Sequence, residues 1–507
     1  MKPLCIIITS SLLLSACATS FDEPQPYTKE QHIQRIAADR AAMYRGQEPV
    51  TGPITFYEAV ARALKYNLDY RLKLMESALA SDLQDVSAHE MLPRLVASAG
   101  YAGRNNDSGG TSIGIEDRQE SLRASTSQER YRQLAGLNLT WSLLDFGVAY
   151  YRNQQKLDQI LMAEERRRRV AQNVLQDVRN AYWRALGAQR LLPEVNALLL
   201  RTDKALIAAR TAEERGIMNK QQALAYQRAL LDSLSLLTAR REDLEFARAE
   251  LSALMSLPPH SELVLEDMQE PSLFPVTVDI ALLEEISLRN RPEVMEEWYR
   301  KRINQNDLEI AKAELWPNIA VSAGFEYDSN KYLYNQAWSS TGLEISLNLL
   351  RLTQLPALQR AEVSQAATDD ARRIALSMAV LTQVRVGTLR YELARDDLEF
   401  AEESLRVDRE LLRYAHAESS STLGSELEVI RAEGRFLLSR YQREASYSRA
   451  QAAWGRLYNS IGLEVLPEQI DNYDIKTLAS AIEETLRTQE LENFSHIKAE
   501  HSVDANS

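Results

Sequence analysis

The sequence predicts a mainly α-helical chain with a small membrane β-barrel, built from two copies of one unit. Three observations predict it. The long segments are rich in Ala, Leu, Glu, Arg and Gln, with only 18 Gly and 15 Pro in 507 residues, which favours long helices over a compact α/β enzyme. Two proline-centred segments recur at a fixed offset, the mark of an internal repeat. After each proline the hydrophobic period changes from helical to two, as in half-buried strands.

At the N-terminus, Lys2 precedes an apolar stretch from Leu4 to Leu14, followed by Leu14-Ser15-Ala16-Cys17. A basic start, an apolar core and small residues before the cut are the signature of a secretory signal, expected here over 1–16. The tetrapeptide resembles a bacterial lipobox, which makes Cys17 the expected lipid attachment. Loss of 1–16 removes Cys5, so the mature chain holds no internal disulfide. Ala18 stands where an inner-membrane retention signal has Asp, which favours the outer membrane. No later run approaches the ~20 apolar residues of a spanning helix. Any crossing must therefore use strands, and in lipid strands must close into a barrel.

Residues 17–50 read as a polar leader with Pro24, Pro26 and Pro49. The first repeat is expected over 51–258, a linker over 259–279, the second repeat over 280–464 and a polar tail over 465–507. Ala88 to Tyr101 lies over Lys312 to Phe325 at an offset of 224 (317 − 93 for the prolines), with Pro, Ser, Ala, Gly and an aromatic in register. At the same offset Asn67-Leu68-Asp69 lies over Arg291-Pro292-Glu293. Each copy thus opens with a helix ended by a proline, because the residue before Pro is pushed out of the α region.

Beyond the prolines, Ile319, Val321, Ala323, Phe325 and Tyr327 alternate with Ala320, Ser322, Gly324 and Glu326. Leu343, Ile345, Leu347 and Leu349 alternate with Glu344, Ser346 and Asn348. Leu95, Ala97, Ala99 and Tyr101 mark a third strand; Leu137, Leu139 and Trp141 mark a fourth. Glu326 and Glu344 fall on the parity opposite the apolar residues, so they are expected to line a barrel lumen. The polar stretches 103–134 and 328–340 suit external loops. Trp141, Trp316, Tyr327, Tyr332, Tyr334 and Trp338 cluster at strand ends, as interfacial anchors do.

Each strand pair is followed by a long helical hairpin. Val384, Gly387, Tyr391, Ala394, Leu398, Ala401 and Leu405 recur at coiled-coil spacing, as do Leu244, Ala247, Leu251 and Leu254. From Gly147 to Gly216 is about 70 residues, on the order of 100 Å of helix. Pro193 is expected to kink or break it. The run Arg166 to Arg169 reads as a solvated or ion-paired face. Four strands cannot close a cylinder, since even small membrane barrels need about eight. Several copies must share one, and the residues alone leave dimer, trimer and tetramer open.

A net charge of −13 disfavours nucleic-acid phosphates as a partner. His32, His89, His260, His416, His496 and His501 are scattered without metal-ligand spacing. No Gly-rich phosphate loop, nucleophile elbow or CxxC occurs. The chain is therefore expected to be no enzyme, with no catalytic residues, cofactor or metal.

The order of helix, strand, loop, strand and hairpin, twice, resembles the TolC family of outer-membrane efflux proteins over roughly residues 51–464. The motifs that carry the resemblance are Leu92-Pro93, Trp316-Pro317, the run Leu139 to Gly147 (LTWSLLDFG), Ala181-Tyr182-Trp183, and two hairpin tips, Arg215 to Met218 and Ser425 to Ala432. The resemblance implies a homotrimer with a 12-stranded β-barrel continued by a periplasmic α-helical barrel. It implies a passive exit duct of an efflux or type I secretion system, docking to a periplasmic adaptor and an inner-membrane transporter. A lipid on Cys17 is similar to that of the drug-efflux branch. By position in the family, Glu428 with Glu426 would form the pore constriction and Arg431 would partner them. Arg215, Gly216, Ile217, Thr422, Gly424 and Ser425 would be adaptor-docking tips. The chain departs from the family at Asn219 and Gln222, where a hydroxyl and an acid are usual, and at Thr422, where Gly is usual. The competing reading is a periplasmic coiled-coil scaffold or adaptor lipoprotein without a channel. Adaptors, however, carry one hairpin beside compact β-domains, and here there are two.

Overall fold

The computed structural model describes residues 26–120, 123–217, 219–258, 261–418, 423–466 and 472–491. The chain divides into two units, residues 1–49 and 50–507. In the first, α1 (Lys29–Met43) is a helix that the polar leader did not announce. Its signal is a capping box: Gln31 N donates to Thr28 Oγ1 and Thr28 N to Gln31 Oε1, at 3.3 and 2.9 Å. None of its residues is buried. Cys17 lies outside the described residues.

In the second unit, short polar residues begin most of the helices, because the first amides of a helix need an acceptor. Thr55 caps α2 (Phe56–Tyr66), Asn67 caps α3 (Leu68–His89), Ser142 caps α4 (Leu143–Glu214), Asn219 caps α5 (Lys220–Leu254) and Asp279 caps α6 (Ile280–Asn290). Pro292 opens α7 (Pro292–Ala313), where its missing N–H costs nothing. Strands β1 (Arg94–Gly103) and β2 (Tyr131–Ser142) lie between α3 and α4; β3 (Asn318–Asp328) and β4 (Ala337–Ser346) follow α7. A 3₁₀ turn (Leu349–Gln354), α8 (Leu355–Glu418), α9 (Leu423–Ile461) and α10 (Ile475–Leu491) complete the chain. The strands form one antiparallel meander in the order β1-β2-β3-β4.

The 72-residue α4 runs through Pro193 without a break, contrary to the expected interruption. At ~1.5 Å per residue it spans on the order of 110 Å. A helix so long survives because packing holds it on both sides of the proline: Leu191, Leu192 and Val195 are all buried. The α5 face against it is a seven-residue repeat of buried positions, Ala223, Leu230, Leu237, Leu244 and Leu251. In α8, Val384, Gly387 and Tyr391 are buried against α9, and the seam fades to half-buried at Leu405.

The main core gathers α2, α4, α8, α9 and α10 around Tyr182, Leu186, Tyr391 and Tyr458. Part of the polar tail expected over 465–507 is a packed helix, Ile475–Leu491. Ile475, Leu478, Ile482 and Leu486 share one face of α10 and are buried in this core. Higher along the helices the packing turns polar. Arg166 donates to Glu296 at 2.6 Å, Gln155 to Asp307 at 2.7 Å and Asn304 to Asp369 at 2.9 Å; Arg302 holds the buried Asp158. Arg167 and Arg168 pair with Glu164 and Glu165, so the Arg run is an ion-paired face as read.

Candidate functional site

Strand pairing turns the alternation of the sequence into two faces. Ala97, Leu137, Phe325 and Ser339 stand side by side across the sheet; so do Leu95, Leu139, Ala323 and Thr341. Leu95, Trp141, Val321, Leu343 and Ile345 share that face, and Leu343 and Ile345 are 68% and 66% exposed. The other face carries Ser98, Asn138, Thr140, Ser322, Ser340 and both carboxylates, Glu326 and Glu344. Its curvature leaves no room for side chains at some positions. A Cβ on Gly324 would come 2.3 Å from Asn138 Oδ1 and 2.9 Å from Ser340 Oγ. Trp338 pairs with Glu326 and so sits on the polar face, whereas Trp141 and Tyr327 lie on the apolar one. Its grouping with the anchors rested on position along the strand and ignored parity.

At the loop end of the sheet, two turns are tied together. Asn330 is buried; its Nδ2 donates to Ser127 O at 2.8 Å and its Oδ1 accepts from Glu129 N at 3.1 Å. Lys331 pairs with Glu129 at 3.1 Å and holds that carboxyl below its ordinary value.

At the far end of the first hairpin, α4 closes on a left-handed glycine. Gly216 has φ +67°, Gly216 N donates to Glu213 O and Ile217 N to Ala212 O, both at 3.0 Å. That is a Schellman closure, and only glycine takes it without strain. Arg215 is the C-cap residue, and Ile217 is 68% exposed. The turn of the second hairpin, with Thr422, lies outside the described residues. Gly424, Ser425 and Glu426 fall in the first turns of α9, and Ser425 to Ala432 is therefore helix and not the turn itself. Glu428 is exposed and accepts from Arg431 at 2.7 Å one turn on, so the two do stand together.

Links between the hairpins were invisible in the sequence. Near the tips, Arg201 of α4 grips Glu433 of α9 with both bonds at 2.7 Å, and Arg440 pairs with Glu194. Midway along, the segment after α5 forms an extended strap whose carbonyls are taken one by one. Gln189 donates to Leu265 O, Tyr447 to Pro271 O, Arg395 to Leu273 O and Tyr391 to Phe274 O. Under it Arg190 and Arg443 each pair with Glu270, at 2.5 Å. Burial pulls the Glu270 carboxyl upward, but Arg443 and Arg190 overcome this and hold it below its ordinary value. Burial, reinforced by Glu270, pushes Glu444 up despite the same arginines.

Among the described residues no cluster of His, Cys, Asp and Glu could hold a metal, and no helix is long and apolar enough to cross a membrane. What the arrangement can do is physical: present an apolar sheet to lipid and a polar face to water, joined to two hairpins whose first helices run ~100 Å.

A model of the outer membrane efflux protein family matches residues 60–256 and 283–463. Among solved structures, the Campylobacter jejuni CmeC outer membrane channel superposes with a TM-score of 0.63 at 11% identity, covering 86% of this chain and 94% of that one. The open state of the Neisseria gonorrhoeae MtrE outer membrane channel gives 0.60 at 17% identity, covering 80% and 88%. The Vibrio cholerae outer membrane protein VceC gives 0.59 at 16%, covering 80% and 96%. No curated protein sequence matches. At these identities the structural likeness speaks for the fold.

Proposed function

The chain belongs to the outer membrane efflux protein family, the channels of multi-component efflux systems in the outer membrane, and we propose that three copies of it make one continuous duct. The observation that carries this reading is the sheet. It exposes an apolar face, and among the described residues its two outer strands have no partner on their open sides. Each orphan amide or carbonyl in lipid costs several kcal/mol, so neighbours must complete the ring. Three copies give a 12-stranded barrel, with Glu326 and Glu344 facing the lumen and the hairpins prolonging it through the periplasm.

In this reading residues 1–16 are a signal peptide, Cys17 carries a lipid that tethers the 17–50 leader, and the two repeats, 51–258 and 280–464, are joined by the linker 259–279. Arg215, Gly216 and Ile217, with Thr422, Gly424 and Ser425, meet a periplasmic adaptor that connects to an inner-membrane transporter. Glu426 and Glu428, partnered by Arg431, narrow the periplasmic mouth. The duct is passive and catalyses nothing. A ring of carboxylates favours cations in the pore.

The test is conductance. Purified protein in planar bilayers should form channels that prefer cations, and the E326Q/E344Q variant should lose part of that preference while still conducting. In outer-membrane fractions the protein should run as an SDS-resistant band that boiling collapses. A soluble monomer without conductance would overturn the reading.

A further inference from the structure

The unpaired edges of the sheet carry more information than that they need a partner. In an antiparallel sheet each residue directs its N–H and C=O to one neighbour only, alternating along the strand. Arg104 N donates to Arg130 O at 2.8 Å, so even-numbered residues of β1 bond toward β2. Asp328 N donates to Gln336 O at 2.9 Å, so even-numbered residues of β4 bond toward β3. The polar groups left at the open edges therefore belong to Leu95, Ala97, Ala99 and Tyr101 on β1, and to Thr341, Leu343 and Ile345 on β4. These are also the residues of the apolar face. An edge-to-edge pairing that matches odd with odd satisfies the hydrogen bonds and keeps both faces continuous. A slip of one residue breaks both at once.

The internal repeat selects among the remaining registers. Ala97 on β1 pairs with Leu137 on β2, which pairs with Phe325 on β3. The repeat equivalent of Ala97 is Val321 (97 + 224), so crossing two strands advances four residues (325 − 321). Val321 in turn pairs with Leu343 on β4. The same four-residue advance onto the next β1 leads from Ala97, the equivalent of Val321, to Tyr101 (97 + 4). We propose that β4 of one copy pairs antiparallel with β1 of a second copy in this register: Leu343 opposite Tyr101, Ile345 opposite Ala99, Glu344 opposite Gly100 and Ser346 opposite Ser98. The proposal rests on the reading that copies share one cylinder, but not on how many do so.

An independent feature supports it. Leu137-Asn138-Leu139-Thr140-Trp141-Ser142-Leu143-Leu144 lies over Leu343-Glu344-Ile345-Ser346-Leu347-Asn348-Leu349-Leu350, with Ser142 and Asn348 both serving as caps for the turn that follows. On β2 the strand extends past the end of β1, whose Arg94 pairs with Thr140; Trp141 and Ser142 are paired by β3 alone. Their equivalents, Leu347 and Asn348, lie just beyond the end of β4, where a single copy offers no strand on that side. In the proposed register Ala97 and Val96 of the second copy stand opposite them. The extra ladder that completes β2 is thus supplied to β4 by its neighbour.

Polar-face pairs at this junction are the non-hydrogen-bonded ones, whose Cβ atoms stand about 4.5–5.5 Å apart, close enough for a disulfide. The test uses full-length protein in outer-membrane fractions under mild oxidation, on boiled non-reducing gels. S98C/S346C should convert most of the chain into covalent multimers that reductant dissolves. S98C/E344C and S98C/N348C, shifted by two residues either way, should stay at the level of the single-cysteine variants. A second in-register pair, G100C/E344C, guards against local misfolding at Ser98. Preferential crosslinking of a shifted pair would overturn the register while leaving the shared cylinder intact. Absence of crosslinks in all four, in protein whose heat-sensitive band persists, also overturns the register. Loss of that band from the unmodified protein would instead sink the shared cylinder itself.

Discussion

Glu270 and Glu444 show how one pair of arginines can leave two neighbouring carboxyls with opposite tendencies. The folded pKa of Glu270 lies below its ordinary value, so it contributes stability at neutral pH that is lost as pH falls through the folded value. That of Glu444 is raised, so its contribution is present in acid and lost as pH climbs through the folded value. E444Q should therefore raise the thermal midpoint of the detergent-solubilised protein at neutral pH, with a gain that shrinks in acid. R443A leaves Arg190 as the one arginine beside both carboxylates in a largely buried place and should cost about 2 kcal/mol, read as a lower midpoint. None of this was legible beforehand. Arg190, Glu270 and Arg443 come from distant parts of a chain rich in Arg and Glu, and nothing local distinguishes them. The sheet face that Glu326 and Glu344 share was legible, because a strand's parity of two fixes the face of every residue once one is known. Trp338 was misjudged by ignoring that same parity.

Among the elements, the hairpins were read from their seams and the strands from alternation. Both follow from the distance a residue advances along its own axis, which needs no partner to be known. The seven-residue series of α5 gives a sharp expectation. Leu230 is fully buried, and L230A should destabilise the protein by about 3 kcal/mol in thermal unfolding. S235A, on an exposed position of the same helix, should stay within ~0.5 kcal/mol. Equal effects would mean that the seam does not hold the hairpin. Pro193 and the C-terminal segment were harder. A proline's local cost is readable, but whether neighbours on both sides outweigh it is a tertiary matter, and α4 is gripped throughout. Ile475, Leu478, Ile482 and Leu486 are spaced as a helical stripe, but which core they fill is a tertiary matter.

For the whole molecule, the need for company could be read directly, since four strands with two bare edges cannot stand alone in lipid. The number of copies could not, because an edge records how its neighbour fits and not how many neighbours follow. Those bare edges have a genetic consequence. A subunit with a proline in place of Ala99 would keep its β4 edge and still join one neighbour, yet refuse the other. Expressed beside the normal gene product, it should poison mixed rings, so that transport falls by more than its share of the pool. If cells carrying both forms instead transport in simple proportion to the intact fraction, subunits are not being drawn from one shared population. Alleles that damage this short stretch of backbone should thus behave as dominant, while those that merely prevent synthesis should be recessive.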